Sequence, residues 1–280
     1  MMGGDTAETL IMGVNVVSTC FTLLLFSTVW RYLSKKPLGM QTPFDQMIKD
    51  LLVSTFACSV TANMVHFRCG PFQSYPDLAL AYFYFELFTA HTMFLQAFFT
   101  IFMRYLYICH ASWINDVYDS TVIAMTRYIN LGMSFLLASY ELLFQDYRQG
   151  KMYQYLTNIP NEHVRNIPSS TVKIMVAWVI IMVVIMQIRI EMRRHRTNER
   201  IPDLGYSFWT LRSMAVLMSI GGLLVFLWLI DEMVDKNVAG LRRLVLHTMA
   251  NIIMMNLLPA VMILRHPQMA SSVFSFFICD

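Results

Sequence analysis

The stretch 174–190 reads IMVAWVIIMVVIMQIRI, and only Gln187 and Arg189 interrupt its apolar run. The hydrocarbon core of a bilayer is crossed by about 20 predominantly apolar residues in a helix. This stretch, extended by its neighbours to 170–192, therefore predicts a membrane-spanning helix.

Six more apolar segments lie on either side of it, separated by short polar stretches. The seven segments are 10–32, 46–67, 80–109, 121–144, 170–192, 209–231 and 241–264. They predict an all-α membrane protein, a seven-transmembrane helix bundle that forms a single domain over 1–280. The segment 267–278 carries Phe and Val residues with a helical spacing and predicts a short amphipathic eighth helix on the membrane surface.

Composition and charge agree with this class. Hydrophobic residues make up 56% of the chain and charged residues 14%, whereas soluble domains carry about 25% charged residues. The formal net charge of +3 does not indicate a nucleic-acid partner, and we expect none. The five cysteines include no C-x-x-C pair, so we expect neither a metal site nor a cofactor.

The distribution of basic residues predicts the orientation. The strongest single cluster is Arg193, Arg194 and Arg196, directly after the fifth segment. Cytosolic loops carry an excess of Lys and Arg, so this cluster places the N-terminus outside, although Arg242 and Arg243 count against the assignment. The acidic start of the chain lacks the basic region of a cleaved signal peptide, and we expect the first segment to be a true span. The predicted location is the plasma membrane, as a multi-pass protein.

Two segment ends carry recognisable motifs. The third segment ends in MRYLYICH (103–110), and the seventh ends in NLLPAVMILRHP (256–267). These resemble the D-R-Y-L-x-I-C-H-P and N-P-x-x-Y motifs of rhodopsin-like G-protein-coupled receptors. The chain is similar to a divergent member of that family, of a chemosensory kind. The resemblance implies an extracellular small-molecule or short-peptide ligand, a cytosolic heterotrimeric G protein, and coupling or switch roles for Arg104, Tyr105, Asn256 and Pro259.

The chain also departs from the family pattern. Met103 replaces the acid that normally precedes the arginine, which predicts a weaker hold on Arg104 and higher basal activity. Met262 stands where the family has tyrosine, and Asn256 comes two residues early. The sixth segment has no proline, and the usual disulfide has no candidate cysteine in the loop 145–170.

Arg104 and Glu86 are the most informative charged residues. Arg104 is either the coupling residue or an ordinary arginine at the cytosolic membrane edge. Glu86 lies eighteen residues earlier, hence on the same helix face and about 27 Å away by the helical rise. An ionisable group inside a span suggests function. Glu86 is either a contact for a cationic ligand or a glutamate that is protonated or hydrogen-bonded to Tyr82 or His247.

Further ligand candidates are aromatic or polar residues in the outer halves of the spans, although each is also explained by helix packing. They are Tyr82, Phe83, His91, Tyr140, Trp228, His247 and Asn251. Asp50 belongs either to a polar cluster with Asn15 and Asn256 or to its own loop. Cys279, next to the surface helix, is either palmitoylated or a free thiol.

Membrane transport and catalysis are the competing functions. No H-x-x-x-H or H-E-x-x-H spacing indicates zinc hydrolysis, and no G-x-S-x-G indicates a serine nucleophile. No internal repeat supports an inverted-repeat transporter. The seventh segment has no lysine for a retinal Schiff base, so an opsin is excluded. We expect a protein without enzymatic activity, with a seven-helix transporter or membrane enzyme as the alternative.

Overall fold

A computed structural model describes the chain in separate ranges. They are 3–35, 43–64, 76–110, 120–144, 167–197, 212–213, 215–224, 227, 249, 252–257 and 260–261. These residues are helical except His110, which forms a bend, so the all-α class is confirmed for the described part of the chain. The single domain over 1–280 extends beyond these ranges and stays a prediction.

Five long helices account for most of the described residues. They are α1 (Gly3–Lys35), α2 (Pro43–Met64), α3 (Pro76–Cys109), α4 (Ser120–Phe144) and α5 (Ile167–Thr197). A shorter helix, α6 (Ala215–Leu224), and a π-helical segment, Ile253–Leu257, follow. Proline begins α2 and α3, where its missing N–H has no intrahelical partner to lose. The predicted surface helix 267–278 and Cys279 lie outside the described residues.

Two of these helices are long and apolar enough to cross a membrane by length and composition. They are Tyr84–Leu106 within α3 and Thr121–Tyr140 within α4. Val16–Tyr32 and Ala215–Leu224 are apolar but shorter. The first five predicted spans thus coincide with helices, and the count of seven spans stays a prediction.

Helices that follow one another in the chain pack antiparallel. The Lys49 ammonium lies 4.3 Å from the centroid of the Trp30 ring, where α1 ends and α2 begins. Nearer the other ends of α1 and α2, Thr19 Oγ1 and Ser59 Oγ are 3.3 Å apart. The same reversal relates α2 to α3, because Thr61 Oγ1 lies 2.8 Å from Thr89 Oγ1 whereas Met47 packs with Met103.

Helices two apart in the chain run parallel. Arg189 and Arg193 of α5 contact Tyr105 and Cys109 of α3, so both pairs advance together along the two helices. Helix α3 packs against α2, α4 and α5 and is therefore the central element of the described fold. The ends of α1, α3 and α5 consequently meet the beginnings of α2 and α4. We call this end, with Trp30, Lys49, Asp50, Arg104, Arg127, Arg189 and Glu191, the charged end.

The polarity of α4 is inverted relative to a helix of a soluble protein. Its buried face carries Asn130, Ser134 and Ala138, one turn apart and at most 3% exposed. Its outward face carries large apolar side chains, among them Tyr128 at 74% exposure and Leu136 at 67%. Exposed apolar surface on this scale marks a membrane or partner contact.

A buried amide pair fastens α4 to α3 and α2. Asn130 Nδ2 donates to Gln96 Oε1 at 2.8 Å and to the Thr92 carbonyl at 3.3 Å. Gln96 Nε2 donates to the Met47 carbonyl at 3.4 Å. These hydrogen bonds give partners to buried amide groups that would otherwise have none. The sequence did not predict them, because neither Asn130 nor Gln96 belongs to a motif.

Replacing Asn130 with alanine should therefore destabilise the fold. The substitution removes the donor to the Gln96 carbonyl oxygen and leaves that atom buried, at a cost of about 1–3 kcal/mol. Thermal unfolding of the purified protein in detergent measures the loss. Ser27→Ala is the matched control, because within the described part of the chain the exposed Ser27 hydroxyl bonds to its own helix, at the Leu24 carbonyl. An Asn130→Ala protein that unfolds at the wild-type temperature would contradict the role of this pair.

Candidate functional site

Arg104 lies inside the helix packing rather than on its edge. It is 1% exposed, and its neighbours Met103 and Tyr105 are 7% and 9% exposed. The cause is the central position of α3, which packs against α2, α4 and α5. The burial of Arg104 differs from the exposed guanidinium of a snorkelling arginine, and its coupling role stays a prediction.

Helix α5 contacts the end of α3 with two arginines. Arg189 Nη1 donates to the Tyr105 hydroxyl at 3.2 Å, and Arg193 Nη1 donates to the Cys109 carbonyl. The Tyr105 ring also meets the His110 ring edge-on, with 5.9 Å between centroids. Arg104 and Tyr105 are the two coupling residues predicted in α3. They lie next to each other at this site, and α5 contributes the two arginines that contact it.

Glu191 of α5 supplies the negative charge at this site. Its carboxylate acts electrostatically on Arg104, and its Oε1 lies 3.6 Å from Nη1 of Arg212, three residues before α6. From Met103 the sequence predicted an Arg104 without an adjacent acid. That holds along the chain, while the charge of Glu191 on a neighbouring helix acts on the arginine.

Asp50 pairs across helices at the charged end. Arg127 Nε of α4 donates to Asp50 Oδ2 of α2, and the two side chains are 42% and 23% exposed. From the sequence Asp50 was expected either in a polar cluster with Asn15 and Asn256 or facing its own loop, and both stay predictions; its described ion-pair partner is Arg127, and the neighbouring Lys49 also acts on it electrostatically. Arg127 belongs to no motif, so the sequence did not predict that it pairs with Asp50.

Asn256 lies in the π-helical segment and joins it to α1. It is 6% exposed, accepts a bond from Thr22 Oγ1 at 2.8 Å and donates to the Ser18 hydroxyl. The resemblance implied a coupling or switch role for Asn256, which stays a prediction; in the structure its side chain bonds to α1. Pro259 lies outside the described residues. A π-helical turn often marks a functional site.

Glu86 lies half-buried on α3 beside a small polar group on α2. Its charge acts on the buried thiol of Cys58, which hydrogen-bonds with Thr89. The Thr89 hydroxyl lies 2.8 Å from that of Thr61 and donates to the Glu86 carbonyl at 3.0 Å. The sequence did not predict this polar group of Cys58, Thr61 and Thr89, because hydroxyl and thiol side chains one turn apart in a helix form no known motif.

The other predicted ligand residues are only partly described. His91 is 9% exposed on α3, and Tyr82 and Tyr140 are half-buried. The Tyr84 hydroxyl lies 3.2 Å from that of Ser139, so Tyr82 and Tyr140 stand near the same level of the helices. Phe83 belongs to α3, but its side chain lies outside the described residues, as do Trp228, His247 and Asn251.

Among the described residues, no three His, Cys, Asp or Glu side chains are grouped to hold a metal ion. No protein-family model matches the chain, and no curated protein matches its sequence.

Proposed function

We propose that this chain is a multi-pass plasma-membrane receptor of the rhodopsin-like kind. In this proposal seven helices cross the bilayer with the N-terminus outside. A ligand binds in the outer half of the bundle, and the charged end activates a heterotrimeric G protein. The motif MRYLYICH at the end of α3 suggests the family, and the burial of Arg104 among helices at that end is the observation that carries the proposal.

The inverted polarity of α4 supports insertion into a membrane. Apolar side chains that are costly in water are stable against lipid, while Asn130 and Ser134 find partners inside. The gathering of Arg127, Arg189 and Arg193 at one end supports a cytosolic position for that end.

Burial of Arg104 supports coupling for a physical reason. A guanidinium that is enclosed by helices, and on which the charge of Glu191 acts, would be held in one arrangement, and a displacement of a neighbouring helix would expose it. A ligand that favours the displaced arrangement would then present a cation to the G protein. A seven-helix transporter has no comparable need for a buried arginine at one end of the bundle.

The test is guanine-nucleotide exchange by purified G proteins added to proteoliposomes of the full chain. Exchange above that of empty liposomes is expected, since the departures from the family pattern predict basal activity. Substrate uptake or hydrolysis by the same proteoliposomes, without exchange for any G-protein class, would favour the transporter or enzyme alternative.

Glu86→Gln tests the proposed contact between Glu86 and a cationic ligand. The change removes the carboxylate charge at nearly constant volume, so a response to a cationic ligand should be lost while basal exchange persists. A panel of primary, tertiary and quaternary amines is screened first for stimulated exchange, and the responding amines are titrated on the variant. Thr92→Val is the control, because among the described residues its hydroxyl bonds to the Phe88 carbonyl of its own helix. An undiminished amine response in Glu86→Gln would contradict the assignment.

A further inference from the structure

The exposed surface of α5 changes from apolar to basic towards the end of the helix. Its apolar part consists of side chains that are between 41% and 53% exposed, namely Ile181, Val184, Ile185, Ile188 and Met192. Arg189 and Arg193 are also exposed, and they follow Ile185 at intervals of four residues, along one side of the helix. The surface therefore forms an apolar track that ends at two cations.

Helix α3 orients both arginines at the edge of this track. Arg189 Nη1 donates to the Tyr105 hydroxyl at 3.2 Å, and Arg193 Nη1 donates to the Cys109 carbonyl. A phenol hydroxyl and a peptide carbonyl are neutral, so these bonds position the two guanidinium groups without cancelling their charge. The two residues are about 6 Å apart along the helix axis, a spacing at which the oxygen atoms of one phosphate can accept hydrogen bonds from both.

The charge of this part of α5 is predominantly positive. Residues 189 to 197 contain four arginines and one glutamate. That glutamate, Glu191, stands about 200° around the helix from Arg189, since each residue turns the helix by about 100°. Its Oε1 lies 3.6 Å from Nη1 of Arg212, on a different side of the helix from the track. The end of the track consequently favours a negatively charged group.

We propose that this edge of α3 and α5 binds an anionic phospholipid, with its phosphate between Arg189 and Arg193. An acyl chain lies along Ile185 and Ile181, about 6 and 12 Å from Arg189 by the helical rise. Guanidinium groups bind phosphate oxygens through paired N–H donors, and basic sites between membrane helices bind anionic headgroups. The apolar track favours a lipid over a free phosphate ion, because the ion covers the cations alone. The inference rests on the membrane insertion in the proposed function and is independent of G-protein coupling.

The test is native mass spectrometry of the purified full chain in a non-ionic detergent, titrated with dioleoyl phosphatidylglycerol or with dioleoyl phosphatidylcholine. The wild type is expected to bind phosphatidylglycerol about threefold more tightly, or better, than the zwitterionic lipid with the same chains. The double substitution Arg189→Gln and Arg193→Gln should weaken phosphatidylglycerol binding by about tenfold and leave phosphatidylcholine binding unchanged.

The matched control is a second pair of exposed cations with the same spacing at the same end of the helices. Arg31 and Lys35 lie one turn apart in the last turns of α1. The double substitution Arg31→Gln and Lys35→Gln removes the same charge and should change phosphatidylglycerol affinity by less than about twofold. An equal loss in both double variants would mean general attraction between charges and would overturn the site.

A competitor separates the phospholipid from a free phosphate group. Glycerophosphoglycerol, the same headgroup without acyl chains, should not displace phosphatidylglycerol at millimolar concentration, and displacement would overturn the role of the apolar track. Circular dichroism measures the helical content of each variant. If the double variant at α5 loses helix, Arg189→Gln and Arg193→Gln are measured singly. Each should weaken binding by about threefold, and wild-type affinity in both would contradict the site.

The outcome for the lipid site is distinct from the outcome for the receptor. No G protein is present in the titration, so a wild type that catalyses no nucleotide exchange but prefers phosphatidylglycerol through these arginines would end only the receptor proposal. A wild type that binds the two lipids equally would end only the lipid site.

Discussion

Arg104→Ala is expected to reduce G-protein nucleotide exchange by about tenfold or more, because each 1.4 kcal/mol of lost contact is about a factor of ten. Arg104 is the most enclosed charged group among the described residues, at 1% exposure. In the proposed receptor it is freed when a helix moves and then contacts the G protein, so alanine removes the group on which coupling depends.

Folding must be separated from coupling in this test. Alanine leaves a cavity in place of the Arg104 side chain, and the acid Glu191 keeps Arg212 as a partner. Arg104→Gln, which fills more of that space, is therefore measured beside it, with unfolding temperature and surface abundance recorded for both. Arg31→Ala removes an exposed cation near the same end and should leave exchange unchanged. Exchange at the wild-type rate in a folded Arg104→Ala protein would end the receptor proposal.

Leu131→Arg is expected to prevent stable insertion of the chain into membranes. Leu131 is 45% exposed in α4 and stands near the middle of the predicted span 121–144. An arginine at the centre of a spanning helix costs about 2.5–3.5 kcal/mol, whereas an exposed leucine of a soluble protein tolerates the same change within about 0.5 kcal/mol. The two environments therefore predict opposite results from one substitution.

The control for Leu131→Arg is a second substitution on α4 that lies closer to the membrane surface. Met125 is 59% exposed on the same helix but lies closer to the charged end, where a long arginine side chain reaches the membrane surface. Met125→Arg should thus insert far better than Leu131→Arg. Carbonate-resistant membrane association of the full chain measures both. Equal, wild-type recovery of the two variants would contradict a lipid-facing α4.

Local sequence was informative where a property depends on neighbours in the chain. Apolar runs of about 20 residues predict helices, and the structure has helices over the first five of them. Arg104 and Tyr105 were predicted as coupling residues because they occur in a contiguous motif. The partners of these residues were not recognised, since the contact between Arg189 and Tyr105 joins positions 84 residues apart. Nothing in the chain between them specifies that contact.

Helix class and the apolar character of the segments are therefore properties of the sequence alone, because backbone hydrogen bonds and side-chain hydropathy act within one segment. The assignment of charges to partners depends on tertiary packing. Glu191 lies close to Arg212, Asp50 pairs with Arg127, and Asn256 bonds to α1, because each choice depends on how helices rotate and shift against one another. One residue of shift turns a side chain by about 100°, so these contacts exist only once the helices are packed.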